Sequence, residues 1–298
     1  MRRYLSFVLI AMVLGAQGAG AQVIVHNEEH LASDRPEAWA LNYVAASTLM
    51  TGFGEAPSLA HGHWIVDAVL AQVPRLSEAQ QRVGFNGSKL EDLNKSPVFG
   101  RIRLLLGLPG GWVAELGYTP PLSINGAQPR DLVAIAIGRR VFERSRYSLS
   151  ARAFAQHGRV SGDITCPARL ASISDRQQNP FGCMAPSDDR VALNYYGAEL
   201  TSAWHEGPWL TYAAIGAVRT ELAVELNALT FDMRDRSRLV ARGILPFVAL
   251  GTSRDIGPHW NLGVELLHVP LRVRRAPDFA RESDPLTSAR LQLRYRFG

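Results

Sequence analysis

The chain has 298 residues, of which 47% are hydrophobic and 20% are charged, and its formal charge at pH 7 is +5. That length is enough for one large β domain or two ordinary domains. The positive charge is too small to indicate a nucleic-acid partner. No segment after the first 21 residues reaches the roughly 18 apolar residues of a membrane-spanning helix, which excludes a helical membrane protein.

The beginning of the chain predicts an export signal. Arg2 and Arg3 precede an apolar run from Leu5 to Leu14, and Ala19-Gly20-Ala21 follows the small-x-small rule of signal peptidase. The run is shorter than the roughly 20 residues of an anchor helix. We therefore predict a cleaved signal peptide at residues 1–21 and one mature domain at residues 22–298.

Eleven later segments have the alternation and the flanking turn residues of β-strands. Most are longer than the 5 to 6 residues typical of soluble strands and suit the roughly 9 to 11 residues that a tilted membrane-crossing strand needs. In chain order they are Trp39–Thr51, Trp64–Val73, Phe99–Leu108, Trp112–Thr119, Leu132–Phe142, Tyr147–His157, Val191–Trp204, Trp209–Leu222, Leu239–Gly251, His259–Leu271 and Leu286–Phe297.

Short and long connections alternate between these segments. Short links such as Pro109-Gly110-Gly111 separate longer ones such as Pro74–Val98 and Gly158–Arg190. Bacterial membrane barrels have tight periplasmic turns and longer extracellular loops in the same alternation. The pattern therefore predicts an all-β fold, a transmembrane up-and-down antiparallel β-barrel.

The number of strands follows from parity, because single-chain bacterial barrels have an even number. A short additional strand at Gln22–His26 gives about twelve, and ten is possible if one segment lies outside the membrane. Within the first long connection, Ser77 and Gln80 match a capping box. They predict a short helix over Glu78–Val83, with an unstructured polar loop as the alternative.

Two cysteines in an exported chain indicate a disulfide. A bond between Cys166 and Cys183 closes a loop of about 17 residues, which stabilises the fold by on the order of 3 kcal/mol. We predict a stapled surface loop. The alternative, a metal site at the two cysteines, would need further Cys or His residues at ligand spacing, and the sequence does not provide them.

Charged residues lie on the strand face opposite the apolar one. Charge on the lipid side costs roughly 2 to 4 kcal/mol at mid-bilayer, so these groups are expected to line the lumen. One interpretation is a structural salt-bridge network, and the other is a water-filled, anion-favouring passage. The predicted lumen residues are Arg101, Arg103, Glu115, Arg152, Arg242, Glu265, Arg290, Arg294 and Arg296, with Asp67 also on an inner face and Glu199 on a strand that alternates poorly.

The signal at Met1–Ala21, the alternating terminal strand and the rhythm of turns and loops resemble bacterial outer-membrane β-barrel proteins. The family usually ends in an aromatic residue, and here Phe297 has that position with Gly298 after it. The resemblance implies a location in the Gram-negative outer membrane, contact with outer-membrane lipid and lipopolysaccharide, and insertion by the barrel assembly machinery through the C-terminal strand.

No catalytic or cofactor motif stands out in the sequence. There is no Ser-centred elbow and no phosphate-binding loop, so we expect no cofactor and no metal. The predicted function is a passive small-solute channel or a structural envelope protein. The alternatives are an outer-membrane lipid or peptide hydrolase, tested by whether His157, Asp188 and Asp189 converge at the rim, and a soluble periplasmic barrel with polar outer faces.

Overall fold

The computed structural model describes residues 23–171 and 173–297, so the predicted signal peptide at residues 1–21 lies outside the described residues. Its main element is an antiparallel sheet of ten long strands. They are β1 Trp64–Gln72, β2 Val98–Gly107, β3 Trp112–Tyr118, β4 Gln128–Arg144, β5 Tyr147–Gly162, β6 Asp189–Glu206, β7 Trp209–Glu225, β8 Arg238–Ile256, β9 Trp260–Val269 and β10 Leu286–Arg296.

The ten strands close into a barrel. Each pairs with its neighbours in the sequence, and β1 pairs antiparallel with β10, where Asp67 is opposite Arg294. This confirms the predicted up-and-down antiparallel barrel, with the lower of the two predicted strand numbers. On β10, Leu291 and Leu293 are 52% and 44% exposed on the outer face, whereas Gln292 and Arg294 are buried on the inner face. The period of two thus separates apolar and polar residues as predicted.

The first predicted strand, Trp39–Thr51, is wrong. Residues Pro36–Ser47 form helix α1, with Pro36 in the first helical turn, where its missing N–H costs nothing. Alanine favours the helix at several positions. The helix lies inside the barrel and is buried on nearly all sides, so it has no polar face. A helix without a polar face lacks the 3.6-residue period that distinguishes it from a strand.

The additional strand predicted at Gln22–His26 exists only in part, as Val23–Val25, and it is not a barrel strand. It joins Met233–Asp235 and Ala228–Thr230 in a separate three-stranded sheet. Glu28–His30 runs parallel to the start of β8 as one strand outside the closed ring. The number of barrel strands is even because the chain first crosses from the loop end to the turn end inside the lumen, as α1 and the residues after it, and not as a strand.

The remaining elements are short. The capping box of Ser77 and Gln80 is present, and it starts helix α2 at Glu78–Gln81. This confirms the start of the helix predicted over Glu78–Val83, but its last two residues form a short strand instead. No helix among the described residues is long and apolar enough to cross a membrane. The other short elements are a helical turn at Gly84–Gly87, a 3-10 turn at Pro109–Gly111, and the strand pairs Arg82–Val83 with Lys89–Leu90 and Arg272–Arg274 with Arg281–Ser283.

The two ends of the barrel differ. The four tight connections lie at one end, here called the turn end, together with the last residues of β10, since the Arg296 amide donates to the His259 carbonyl at 2.8 Å. The five long connections lie at the other end, here called the loop end. Five tryptophans are exposed outward at the turn end, as an interfacial girdle requires: Trp64, Trp112, Trp204, Trp209 and Trp260. Trp39, the remaining tryptophan, is instead buried in α1.

Candidate functional site

The lumen is filled by the chain's own N-terminal part. Leu31 donates to the Val240 carbonyl at the loop end, and α1 descends from there into the barrel. Residues 48–60, here called the lumen segment, continue to the turn end. Just beyond them the Gly62 amide donates to the Gly107 carbonyl at 3.0 Å, before β1 begins.

Buried guanidiniums hold the carbonyl groups of this segment. Arg101 donates to the Thr48 carbonyl at 3.2 Å, and Arg103 donates to the Thr51 carbonyl at 3.2 Å. Two further arginines act in the same way. Arg152 reaches the Met50 carbonyl at 3.0 Å, and Arg290 reaches the Leu49 carbonyl at 2.7 Å and the Ala46 carbonyl at 3.3 Å. The inner arginines therefore supply donors mainly to the carbonyls that directly follow α1, in a stretch without regular secondary structure.

Carboxylates on the inner wall pair with these arginines. Glu115 receives hydrogen bonds from Arg103 at 2.7 Å and from Arg152 at 2.9 and 3.0 Å. Asp67 receives two from Arg294, at 2.8 and 2.9 Å. Each of these contacts combines a charge with a hydrogen bond, which makes it roughly twice as strong as a neutral one.

Glu265 joins the wall to the lumen segment. Its carboxylate accepts from the Thr51 hydroxyl at 2.6 Å and from the Tyr212 hydroxyl at 3.0 Å, and it lies 3.8 Å from Arg290. At the turn end, Glu55 of the segment contacts Ser148, Arg140 and His205. The segment is thus fixed along its length by both arginines and carboxylates.

Small residues make this arrangement possible. Arg152 is opposite Gly138 on β4, so it extends across that strand to Glu115 on β3. A Cβ at Gly52 would lie 2.5 Å from a Glu199 carboxylate oxygen, and one at Gly107 would lie 2.3 Å from the Ala60 carbonyl oxygen. Glycine at these two positions allows the wall and the lumen segment to approach closely.

The structure places eight of the nine predicted lumen residues on the inner wall. Seven are buried, and Arg296 is partly exposed at the turn end, where it pairs with Asp255 at 3.0 Å. The seven buried residues are Arg101, Arg103, Glu115, Arg152, Glu265, Arg290 and Arg294. Asp67 and Glu199 are also buried inside the barrel.

The predicted inner position of Arg242 is wrong, because Arg242 is exposed on the outer face. It is opposite Glu221 and two residues from Ile244, beyond the apolar part of β8 on the loop side. Gly243 and Pro246 interrupt the alternation of β8, so the face of Arg242 was not evident. The sequence also did not indicate Tyr195, whose hydroxyl donates to the Thr48 carbonyl at 3.0 Å.

The loop end is covered by a layer of connections, here called the cap. Ion pairs link its parts: Lys95 contacts Asp163 at 2.7 Å, and Asp34 contacts Arg281 at 2.9 Å. The hydrogen bond that Arg281 donates to Asp34 holds the pKa of Asp34 below its usual value. The cap comprises residues 23–35, 73–97, 163–171, 173–188, 226–237 and 270–285.

The predicted disulfide is part of the cap. Cys166 and Cys183 are bonded, with their Cα atoms 5.6 Å apart. Beside them, the buried Lys89 ammonium donates to Glu91 at 2.9 Å and to the Thr165 carbonyl at 2.6 Å. The lumen is therefore filled from within and covered at its loop end.

The three residues named for a rim hydrolase do not converge. Asp189 is fully buried and accepts hydrogen bonds from two backbone amides and a serine hydroxyl, whereas Asp188 is exposed beside Arg190. His157 is exposed on the outer face, five residues along β5 from Gly162, which is opposite Asp189. At about 3.4 Å per residue, His157 and Asp189 are therefore separated by roughly 17 Å along the strands. This constellation cannot perform acid–base catalysis.

Comparisons with known proteins give similarity at the level of the fold. No protein-family model and no curated protein matches the chain. Among solved structures, the attachment invasion locus protein Ail of Yersinia pestis has 12% identity over 80% of this chain and 100% of its own, with a TM-score of 0.31. The outer membrane protease OmpT of Escherichia coli has 10% identity over 79% and 94%, with a TM-score of 0.37. Neisserial surface protein A has 10% identity over 79% and 96%, with a TM-score of 0.31.

Values this low say nothing about activity, and the assignment of fold rests on the architecture of the chain itself. The sheet closes on itself, and its outer face is apolar between the two ends. Interior positions are filled, by charged and polar side chains around the lumen segment and by apolar side chains around α1. The fold is that of a bacterial outer-membrane β-barrel protein.

Proposed function

We propose that the protein is a structural component of the Gram-negative outer membrane, a closed barrel that carries an ordered cap at the cell surface. In this proposal the turn end faces the periplasm and the loop end faces outward. Solutes do not pass through the folded barrel. Of the two predicted functions, this favours the envelope protein over the passive channel.

The observation that carries the proposal is the occupation of the lumen by α1 and residues 48–60. Four arginines hold carbonyl groups of this stretch, and three of them also pair with carboxylates of the wall. A passage for ions would need water where these groups lie. Desolvated, mutually paired charges are typical of a filled interior.

The partners expected from the sequence fit the same proposal. The apolar outer face would contact lipid, and outer-facing arginines on the loop side, Arg219 and Arg242, would meet the phosphates of lipopolysaccharide. The alternating strand β10, which ends next to Phe297, would be the strand that the barrel assembly machinery receives.

Conductance across a planar bilayer tests the proposal. Purified wild-type protein is expected to give no steady current. A variant that lacks residues 23–60 keeps all ten barrel strands and is expected to conduct, with an anion preference from the exposed arginines. Heat modifiability on gels shows whether each preparation is folded. Steady currents from the folded wild type would contradict the proposal.

A further inference from the structure

The arginines that face outward near the loop end lie on one side of the barrel. They occur on five adjacent strands, β4 to β8, and this surface is here called the basic side. On the described residues of the other five strands, β9, β10 and β1 to β3, no outward position near the loop end carries an arginine or a lysine. The arginines of the basic side are Arg130, Arg159, Arg190, Arg219, Arg238 and Arg242.

Two of these arginines have no carboxylate to balance them. Arg190 lies 3.3 Å from Asp188, but neither Arg130 nor Arg159 has a carboxylate within 4.0 Å among the described residues. The Nε of Arg130 donates to the Ser161 hydroxyl at 3.4 Å, which is a neutral acceptor. Both guanidiniums are exposed and can therefore receive an anion from outside the protein.

The register of the sheet brings these unbalanced charges together. Arg130 of β4 is directly opposite Arg159 of β5, and like charges in that position repel each other. Arg190 of β6 is opposite Ser161, two residues from Arg159, so a third guanidinium is a diagonal neighbour. The guanidinium group matches the geometry of phosphate oxygens and binds them in pairs. The arrangement therefore indicates a phosphate as the missing counter-charge.

The depth of the pair in the membrane agrees with this ligand. At the turn end, Arg139 of β4 lies 5.9 Å from the ring centre of Trp112, within the aromatic girdle. Arg130 is nine residues farther along the same strand. At about 3.4 Å per residue and a tilt of about 40°, it lies roughly 23 Å from the girdle, close to the roughly 25 Å height of the apolar band. With the loop end outward, that is the level of the outer headgroups.

A shallow apolar groove leads from the arginine pair toward the turn end. Beyond His157, β5 carries the small residues Ala155 and Ala153 on its outer face. The larger neighbours of these alanines are Ile135, Ile137 and Tyr196, which are 58%, 44% and 54% exposed. Small side chains between larger ones leave room for an acyl chain directly below the charged groups.

We propose that a lipopolysaccharide molecule binds the basic side, with a phosphate of its headgroup between Arg130 and Arg159 and an acyl chain along Ala155 and Ala153. This inference rests on the proposed function, because it requires the loop end to face outward. It adds a defined binding position on one side of the barrel, which a general contact with outer-leaflet lipid does not imply.

Native mass spectrometry of the full-length protein, titrated in detergent micelles with lipid A, tests the proposal. The wild type should bind lipid A, and it should bind dephosphorylated lipid A about tenfold more weakly, because charge-assisted hydrogen bonds to phosphate are lost. Inorganic phosphate at the same concentration should not displace lipid A, since it buries no apolar surface in the groove.

A double variant and a matched control locate the site. Arg130→Gln with Arg159→Gln should weaken the binding of lipid A about tenfold, for the same reason. The control, Arg139→Gln with Arg254→Gln, removes two outward arginines at the turn end, each of which lies over a tryptophan of the girdle. It should keep the wild-type affinity. All four side chains are exposed, so both variants should fold.

A charge reversal separates lipid binding from a purely structural role. Arg159→Glu places a carboxylate opposite Arg130, so without lipid this variant should unfold at a higher temperature than the wild type. With lipid A present the order should be reversed, because only the wild type keeps the phosphate site and is stabilised by the ligand.

Equal affinities of the wild type and the double variant for lipid A would overturn the proposal, and so would equal affinities of the wild type for the two forms of lipid A. Displacement of lipid A by inorganic phosphate would also overturn it, leaving a site for free phosphate. With a wild type that is silent in planar bilayers, these results would contradict this proposal alone. A conducting wild type that binds lipid A through the two arginines would contradict only the closed barrel.

Discussion

Glu115 is the residue on which the inner wall depends most. It accepts three hydrogen bonds from Arg103 and Arg152 and is 8% exposed. Glu115→Gln removes the charge and leaves two buried guanidiniums underpaired, so we expect a loss of about 3 to 5 kcal/mol in the free energy of unfolding. Urea unfolding into lipid vesicles measures it.

The control for this substitution is Glu143→Gln. Glu143 also pairs with an arginine, Arg140 at 2.7 Å, but its side chain is 62% exposed. An exposed pair contributes about 0 to 1 kcal/mol. Equal losses for the two variants would show that the paired charges of the lumen are as hydrated as those of the rim.

Glu91 makes the cap sensitive to pH. Burial raises the pKa of Glu91 from 4.5 to about 8, against the opposing effect of Lys89. The native state therefore retains a proton that the unfolded state releases. The stability that this proton contributes is complete below pH 4.5 and is lost as the pH rises through 8.

The corresponding variant is Glu91→Gln, which removes the titrating group. We expect the wild type to lose up to a few kcal/mol relative to this variant between pH 5 and pH 9, because each pKa unit corresponds to about 1.4 kcal/mol. The midpoints of thermal unfolding of both proteins measure the difference. The control Glu78→Gln, at an exposed position of α2, should show the same change of unfolding midpoint with pH as the wild type. If the difference in midpoint between the wild type and Glu91→Gln stayed constant from pH 5 to pH 9, the expectation would be refuted.

Helix α1 is the element that blocks the lumen, and Trp39 anchors this helix. Its ring is 1% exposed and lies 4.6 Å from the Arg275 guanidinium, and its Nε1 donates to the Asp284 carbonyl at 2.9 Å. Trp39→Ala removes about 3 to 5 kcal/mol of packing. We expect brief current steps in planar bilayers from the loosened helix, but none from Trp204→Ala on the outer girdle. A Trp39→Ala protein as silent as the wild type would show that α1 does not gate the lumen.

The same element marks the limit of what the sequence reveals. Strand β10 could be predicted because lipid on one side and charges on the other impose alternation, as Leu293 and Arg294 illustrate. Helix α1 is enclosed by protein, so nothing imposes a polar face on it. The arginines were identified, but their carbonyl partners at residues 48–52 were not, because backbone acceptors leave no trace in composition.

At the scale of the whole molecule, the path of the chain determines its topology. Residues 23–35 lie at the loop end, and β1 starts at the turn end only after the chain has crossed the lumen. With the loop end outside, a cysteine at Val23 should react with a membrane-impermeant maleimide on intact cells. A cysteine at Arg144, the last residue of β4 before a tight turn, should react only after the outer membrane is broken. The reverse pattern would invert the proposed orientation.

The central claim is that the chain's own residues fill the barrel, and hydrogen exchange of the wild-type protein in lipid nanodiscs tests it most directly. Peptides covering residues 48–56 are enclosed by the wall, and the Met50 amide donates to the buried Tyr195 hydroxyl at 3.1 Å. We predict that these amides exchange at least a hundredfold more slowly than those of the exposed turn at residues 145–146, an excess corresponding to about 2.7 kcal/mol of opening free energy. Equally fast exchange in both segments would mean that the lumen is open to water and that the account is wrong.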